Sequence, residues 1–454
     1  MARPIRFNAF SMNAASHQSP GLWRHPRNTS VAFNRLGYWT DLAQLLERGL
    51  FDALFIADVL GIYDVYQGGP HAALRGGVQV PVNDPLLLVP AMAGVTEHLG
   101  FGVTFSLTYE HPYPFARRMS TLDHLSNGRV GWNIVTGYLD SAARNLGSAR
   151  QLGHDQRYDL AEEYLDVLYK LWEKSWEDDA VQLDRESGRY IDPSKVHSIG
   201  HVGEHFQVPG MHLCQPSPQR TPVLFQAGAS ARGQQFAARH AECVFISGPT
   251  QTVLRRYADG IRKASAVAGR AQAQVLIYAQ ALLIVAPTTA QAQARFAEYR
   301  RYVDLDAALA LLSGWTGIDL AGLDPQAPIE YVENDAGRAA LAAFTAADPK
   351  RRWTVREAAE FIGLGGRGPV LVGDPSEVAD QLEDWLDQTG IDGFNLTYAV
   401  QPDDLANVVE LLVPELQRRG RYPLSYAHGT LRHKLFGHGD RLPEGHAGRN
   451  VCIQ

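Results

Sequence analysis

The stretch from Leu122 to Thr136, Leu-Asp-His-Leu-Ser-Asn-Gly-Arg-Val-Gly-Trp-Asn-Ile-Val-Thr, passes from helix to strand within a few residues. Pro112 to Leu125 carries apolar groups at helical spacing, and Asn127-Gly128 supplies the left-handed turn that ends a helix. Arg129 to Val135 alternates and is rich in β-formers. The strand finishes in Asn133 and Thr136, polar groups where a chain leaves its sheet. A helix feeding a strand so directly is the repeating unit of a parallel sheet. In parallel α/β folds, ligands bind at the carboxyl ends of the strands. One short segment therefore constrains both the architecture and the place of a site.

The unit recurs along the chain. Strand patterns fall at Ile5 to Phe10, Phe51 to Ala57, Phe101 to Leu107, Arg129 to Val135, Val223 to Gln226, Cys243 to Ser247, Gln274 to Val285 and Phe394 to Ala399. Amphipathic stretches between them include Tyr38 to Arg48, Leu86 to Leu99, Asp155 to Trp176 and Pro375 to Gln388. Buried strands alternating with helices mean a parallel sheet covered by helices. Eight such strands at this length favour a closed (β/α)8 TIM-like barrel over an open sheet. Residues 1–420 are read as one barrel, with insertions at about 177–221 and 299–368. Val370 to Val372 is an extra strand belonging to the second insertion. The first insertion is rich in Gly, Pro and His and is expected to fold over the barrel mouth. Residues 421–454 form a polar tail with little core potential, suited to wrapping a neighbouring subunit, so a homodimer or homotetramer is expected.

Charge and cysteine content narrow the class. The 42 basic and 49 acidic residues leave a net charge of -7, which argues against general nucleic-acid affinity. Cys214, Cys243 and Cys452 are odd in number and widely spaced, so neither a disulfide framework nor a zinc ribbon is expected. Met1 to Asn8 enters a strand pattern without the apolar core of a signal peptide, and a cytoplasmic location is the expectation.

Several motifs invite a chemical reading. Gly363-Leu-Gly-Gly-Arg-Gly368 matches G-x-G-x-x-G, but a helix precedes it and a strand follows, the reverse of a dinucleotide fingerprint. A flexible insertion loop is expected instead. His197, His201, Glu204 and His205 crowd together, but Gly200 and Gly203 break any helix that would align two ligands, and no metal is expected. Gly228-Ala-Ser230-Ala-Arg-Gly233 follows a strand and opens a helix. Its backbone N–H groups, its hydroxyl and the positive helix end fit an anion, most simply a phosphate. Tyr158, with His154 at the start of its helix, is a second donor for the same group. Asp58 closes the second strand, and Thr104 and Ser106 share one face of the third.

Taken together, Trp23-Arg-His25, Glu47-Arg-Gly-x-Phe-Asp52, Phe55-Ile-Ala-Asp58, Gly94-x-Thr-Glu-His-Leu-Gly100, the Leu122–Thr136 stretch, His154-x-x-Arg-Tyr158, Gln226-Ala-Gly-x-Ser230 and Gly429-Thr-Leu-Arg432 resemble the flavin-dependent monooxygenases of the bacterial-luciferase-like superfamily, in particular the nitrilotriacetate monooxygenase group. The resemblance covers nearly the whole chain. It implies a barrel whose mouth holds FMN, used in its reduced form (FMNH2) as a diffusible co-substrate from a separate NAD(P)H:FMN reductase, with O2 as oxidant. Carried over residue by residue, Asp58 and Thr104 lie near the isoalloxazine or ribityl part. His154, Tyr158, Ala229 and Ser230 hold the phosphate end, and Asn133 and Thr136 line the same mouth.

Within the group, Asn8-Ala-Phe10, Ser16-His-Gln-Ser19 and Val80-Pro-Val-Asn-Asp-Pro85 are most similar to members that oxidise dimethyl sulfide, which implies a small organosulfur substrate. An aminopolycarboxylate or an aromatic sulfone, or a flavin-binding barrel without catalysis, are the alternatives. Tyr63, Tyr66, Phe105 and Tyr109 would give an apolar wall suited to a small thioether. Few cations are evident in the strand-end loops, although Arg24, Arg75 and Arg232 could supply some charge. His17, after the first strand, and Tyr63, after the second, are the candidate catalytic residues. His17 is placed to stabilise or protonate oxygen chemistry at the flavin, and the alternative is a surface-loop histidine bonded to backbone.

Overall fold

The computed structural model describes residues 3–228, 230–330 and 338–453. Eight parallel strands close into a barrel: β1 (Arg6–Met12), β2 (Ala53–Ala57), β3 (Gly100–Ser106), β4 (Val130–Val135), β5 (Val223–Ala227), β6 (Cys243–Ile246), β7 (Leu276–Val285) and, after a ninth strand β8 (Val370–Gly373), β9 (Gly393–Thr397). Neighbours in sequence are neighbours in space from β1 to β7, and β9 closes the ring between β7 and β1. The ten-residue β7 pairs with β6 on one side and is long enough to serve two partners on the other. Its first half pairs with β9 and its second half with β8, which therefore lies outside the ring.

The helix-to-strand step at Asn127-Gly128 forms as expected. Both residues take positive φ, 52° and 74°, and the Gly128 N–H donates back to the Asp123 carbonyl at 2.8 Å, ending helix α2 (Pro112–Leu125) once α1 (Leu36–Arg48) and the first three strands have passed. Alternation then sorts β4. Trp132 packs outward on Phe115 of α2, with ring centroids 4.7 Å apart. Gly131 points inward, where a Cβ would come within 2.3 Å of the Phe225 ring. Asn133 points inward as well, one position nearer the mouth. The barrel interior is filled by Phe55, Phe225, Phe245 and Tyr278, with Phe55 and Phe245 rings 4.2 Å apart.

Three expectations are corrected. Leu86 to Leu99 is not one helix: Pro90 begins a single turn and the chain leaves it at Gly94. Residues 177–221 do not cover the mouth. They form two short hairpins along the outer faces of α2 and α3 (His154–Tyr169), where Phe206 packs on Tyr164 and His212 meets Ser120. The polar stretch after Gly420 has more core potential than its composition suggests. Leu431, Arg432 and Leu435, on a short helix, are buried at the amino-terminal end of the barrel, against Phe55, Phe225 and Tyr278 as one apolar cluster. No helix among the described residues is long and apolar enough to cross a membrane.

Candidate active site

The carboxyl ends of the strands surround a cavity of about 290 Å³. It is built in three parts, each from a different kind of segment.

One end is a cradle of hydroxyls at the start of a helix. Ser230 caps α4 (Ala231–His240), its Oγ accepting from the Gly233 N–H at 3.1 Å. The Tyr158 hydroxyl, from α3, converges on the same point: a Cβ on Gly233 would lie 2.9 Å from both Tyr158 Oη and Ser230 Oγ. His154 Nε2 is 3.5 Å from Ser230 Oγ, and its Nδ1 is 2.7 Å from Asp155. Arg232 sits over the Tyr158 ring at 5.7 Å. Burial raises the Tyr158 pKa, so the hydroxyl remains a donor. Two hydroxyls and a helix amino end at one place suit a phosphate, while Arg232 is paired with Asp159. Ala229 lies outside the described residues.

The floor is made by inward side chains at the strand ends. Asn133 Nδ2 donates to Thr104 Oγ1 at 2.9 Å across the β3–β4 register, leaving Asn133 Oδ1 without a partner. Gln226 Oε1 and Asn395 Oδ1 are buried and unpartnered in the same floor. Buried polar atoms are almost always bonded, so three unmet acceptors here call for donors from a ligand. Thr136 lines the rim and its carbonyl accepts from Thr108. Asp58 closes β2 within the cavity wall. Burial first, and the Asp84 carboxylate second, push its pKa up to about 7.

The third part is the wall opposite the cradle. His17 is buried, its ring edge on Phe10 at 4.3 Å. Gln280 Nε2 donates to Gln18 Oε1 at 3.2 Å, which turns Gln18 Nε2 toward His17 Nε2 at 3.1 Å. That arrangement assigns the imidazole proton to Nδ1. Burial drops the His17 pKa to about 3, so the ring is neutral near pH 7. Tyr63 is not in the lining. It lies behind the wall, its hydroxyl donating to Gln79 Oε1 at 2.9 Å and meeting the Tyr138 hydroxyl at 2.7 Å. Tyr138 and Gln79 are the groups that face the cavity, and Gln79 in turn donates to the His17 carbonyl.

The structure thus brings His17, Asp58, Thr104, Asn133, Thr136, His154, Tyr158 and Ser230 to one cavity, and leaves Tyr63 one layer back. Tyr66, Phe105 and Tyr109 are absent from the lining, so the aromatic wall differs from the expected one: Phe10, Tyr138, Phe245 and Trp315 supply it. Arg24 donates to backbone carbonyls outside the mouth and Arg75 pairs with Asp306 in solvent. Sequence reasoning missed Arg367 and Trp315, both from the 299–368 insertion. The signal was present in the Gly363–Gly368 stretch, which is not flexible. Gly365 and Gly366 take φ of 88° and 70°, the Gly365 carbonyl accepts from Gln280 at 2.7 Å, and a Cβ on Gly366 would lie 2.0 Å from Gln18 Oε1. The glycines bind the loop to the barrel and deliver Arg367 into the cavity.

A barrel of this topology is shared by many enzymes, and the family is told by the whole chain. Residues 9–393 match the luciferase-like monooxygenase family. The chain belongs to that family. It is 52% identical over 97% of its length to dimethyl-sulfide monooxygenase of Hyphomicrobium sulfonivorans, covering 92% of that protein. It is 49% identical over 98% of its length to long-chain alkane monooxygenase of Geobacillus thermodenitrificans, covering 97% of it. The crystal structure of a riboflavin lyase with modified FMN and riboflavin superposes with a TM-score of 0.93 at 36% identity, over 100% of both chains. The resemblance read from the motifs is therefore correct at the level of family and fold. The chain is an enzyme of the monooxygenase class by that membership.

Proposed function

We propose that this enzyme binds reduced FMN in the barrel mouth and uses O2 to oxidise a small organosulfur compound. One observation carries the reading: a phosphate cradle at Ser230 and Tyr158 faces a floor of unpartnered acceptors, Asn133 Oδ1, Gln226 Oε1 and Asn395 Oδ1. FMN offers the complement, a phosphate at one end and hydroxyl and ring N–H donors along its length. Reduced FMN supplies the electrons that activate dioxygen.

The residues of the chain have the remaining tasks. Ser230, Tyr158 and the amino end of α4 hold the phosphate by hydrogen bonds to a charged group, the strongest kind available. Asn133, Gln226 and Asn395 fix the orientation of the cofactor by accepting from it. Below pH 7 the Asp58 carboxyl is mostly protonated and donates; above it, it accepts. His17, neutral, presents its Nδ1–H to the cavity side of Phe10 and positions rather than protonates. Phe10, Phe245 and Trp315 keep water from the reacting centre.

One feature supports a separate NAD(P)H-dependent reductase as the source of reduced FMN: the G-x-G-x-x-G stretch packs on Gln18 and Gln280 and lacks the strand-to-helix context of a dinucleotide site. The apolar wall suits a thioether, and the likeness to the dimethyl-sulfide enzyme makes dimethyl sulfide the first substrate to try.

The test is turnover under 18O2 with FMN, NADH and any flavin reductase, on a panel of sulfides, alkanes, sulfones and aminopolycarboxylates. The reading expects one labelled oxygen atom per molecule of oxidised sulfide. Hydrogen peroxide as the sole oxygen product, on every compound, would reduce the chain to a flavin binder.

A further inference from the structure

Arg367 is a cation to which neither the cradle nor the floor gives a partner. It lies in the cavity wall, and among the described residues it makes no ion pair or hydrogen bond. Its guanidinium rests over the Trp315 ring, 4.9 Å from the centroid. Among the described residues, the ionisable groups near it are tyrosine hydroxyls, and burial raises the pKa of Tyr63 and Tyr138. Asp58 is the one carboxylate among the described lining residues and is not among those groups. Stacking on an indole offsets part of the cost of desolvating a guanidinium and leaves its hydrogen-bonding edge free. A buried, unpaired guanidinium is otherwise too costly to keep, and arginine cannot shed its proton to escape that cost. The loop holding it is fixed: Gly365 N–H donates to Ser19 Oγ at 3.1 Å, and a Cβ on Gly368 would lie 2.2 Å from the Gln280 carbonyl. The cation is therefore held in place and does not swing in from solvent.

What completes it is an anion, and two are available to this cavity: an oxyanion on the substrate or the negative charge of reduced flavin. The origin of the residue favours the first. Arg367 and Trp315 both come from the 299–368 insertion, whereas the cradle and floor come from strand ends and the helices that follow them. In barrels of this kind the scaffold holds the common chemistry and the variable loops choose the substrate.

We propose that Arg367 pairs with a carboxylate or sulfonate on the substrate, so that the preferred organosulfur compound is an anionic thioether and dimethyl sulfide is an incomplete version of it. This rests on the reading that the mouth takes reduced FMN and a sulfide. The test is anaerobic calorimetric titration of protein loaded with reduced FMN, using methylthioacetate and its neutral isostere methylthioacetamide. The wild type should bind the carboxylate at least about tenfold more tightly, the scale of a charge-assisted hydrogen bond. Arg367→Gln should abolish that preference, and Arg367→Lys should keep part of it. Equal binding of the two compounds by the wild type, which needs no variant, overturns the proposal. A preference that survives in Arg367→Gln also overturns it. Loss of reduced-FMN affinity in Arg367→Gln with the carboxylate preference intact assigns the charge to the flavin instead. Labelled sulfide oxidation without any carboxylate preference would leave the monooxygenase reading standing and remove this one alone.

Discussion

At the amino-terminal end of the barrel, Arg432 is wholly buried and every part of its guanidinium is engaged. It donates to Glu242 at 2.7 and 2.9 Å and to the carbonyls of Thr221, Pro222 and Asp440. Arg129, nearby, is likewise spent on Thr96 and on the carbonyls of Ala93, Leu99 and Ser126. At the carboxyl end, Arg367 has an aromatic face and no ion pair or hydrogen bond among the described residues, and the floor beneath it holds acceptors without donors. The same residue type, similarly desolvated, is matched at one end and unmatched at the other. An unsatisfied buried polar group costs about 1–3 kcal/mol, more when it is charged. Clustered in one cavity, such groups can be completed together by a ligand, whereas Arg432 is completed by the scaffold itself.

The largest expected effect lies at the closed end. Glu242→Ala would strand Arg432 without its anion and should cost about 3–5 kcal/mol of stability. Urea unfolding measures this. A loss below about 1 kcal/mol would mean that the buried pair is not what holds the tail to the barrel.

A smaller effect, read in binding, belongs to the cradle. Ser230→Ala should weaken reduced-FMN affinity by about 1 kcal/mol or more. It should also lower stability by about 1 kcal/mol, because Ser230 caps α4. Lower stability with unchanged affinity would make Ser230 a cap alone.

Asp58 gives the most specific effect. Its folded pKa of about 7 stands above the ordinary 3.8, so the folded state holds the proton more tightly than the unfolded chain. The stabilisation is complete below the ordinary value and is lost as pH rises through about 7. Relative to Asp58→Asn, the unliganded wild type should lose stability between pH 4 and 7 and then level off. Parallel stability curves for the two proteins across that range would contradict the account.

The same contrast explains what was legible in the sequence. The barrel was, because each strand obeys a local rule: Asn127-Gly128 ends a helix, and Trp132 faces out while Asn133 faces in. The meeting of Ser230 and Tyr158 was legible too, because Ser230 sits where a strand turns into a helix, and Tyr158 lies one turn into the helix that packs beside it. Arg367 was not. Its role depends on Gln18, Gln280 and Trp315, which lie far away along the chain and meet it only in the folded protein. The buried tail failed for a related reason. Arg432 reads as a polar residue until Glu242 is placed against it. Tyr63 was found by its neighbourhood, but a sequence does not resolve a residue in a wall from one directly behind it.

The account rests most heavily on the open end being completed by reduced FMN. Anaerobic titration of reduced FMN into the wild type and Tyr158→Phe tests it directly, because Tyr158 caps nothing and its hydroxyl converges with Ser230 on the proposed phosphate position. The prediction is saturable binding at one flavin per chain in the wild type, weakened about tenfold or more in the variant. Equal affinity in the two proteins would contradict it.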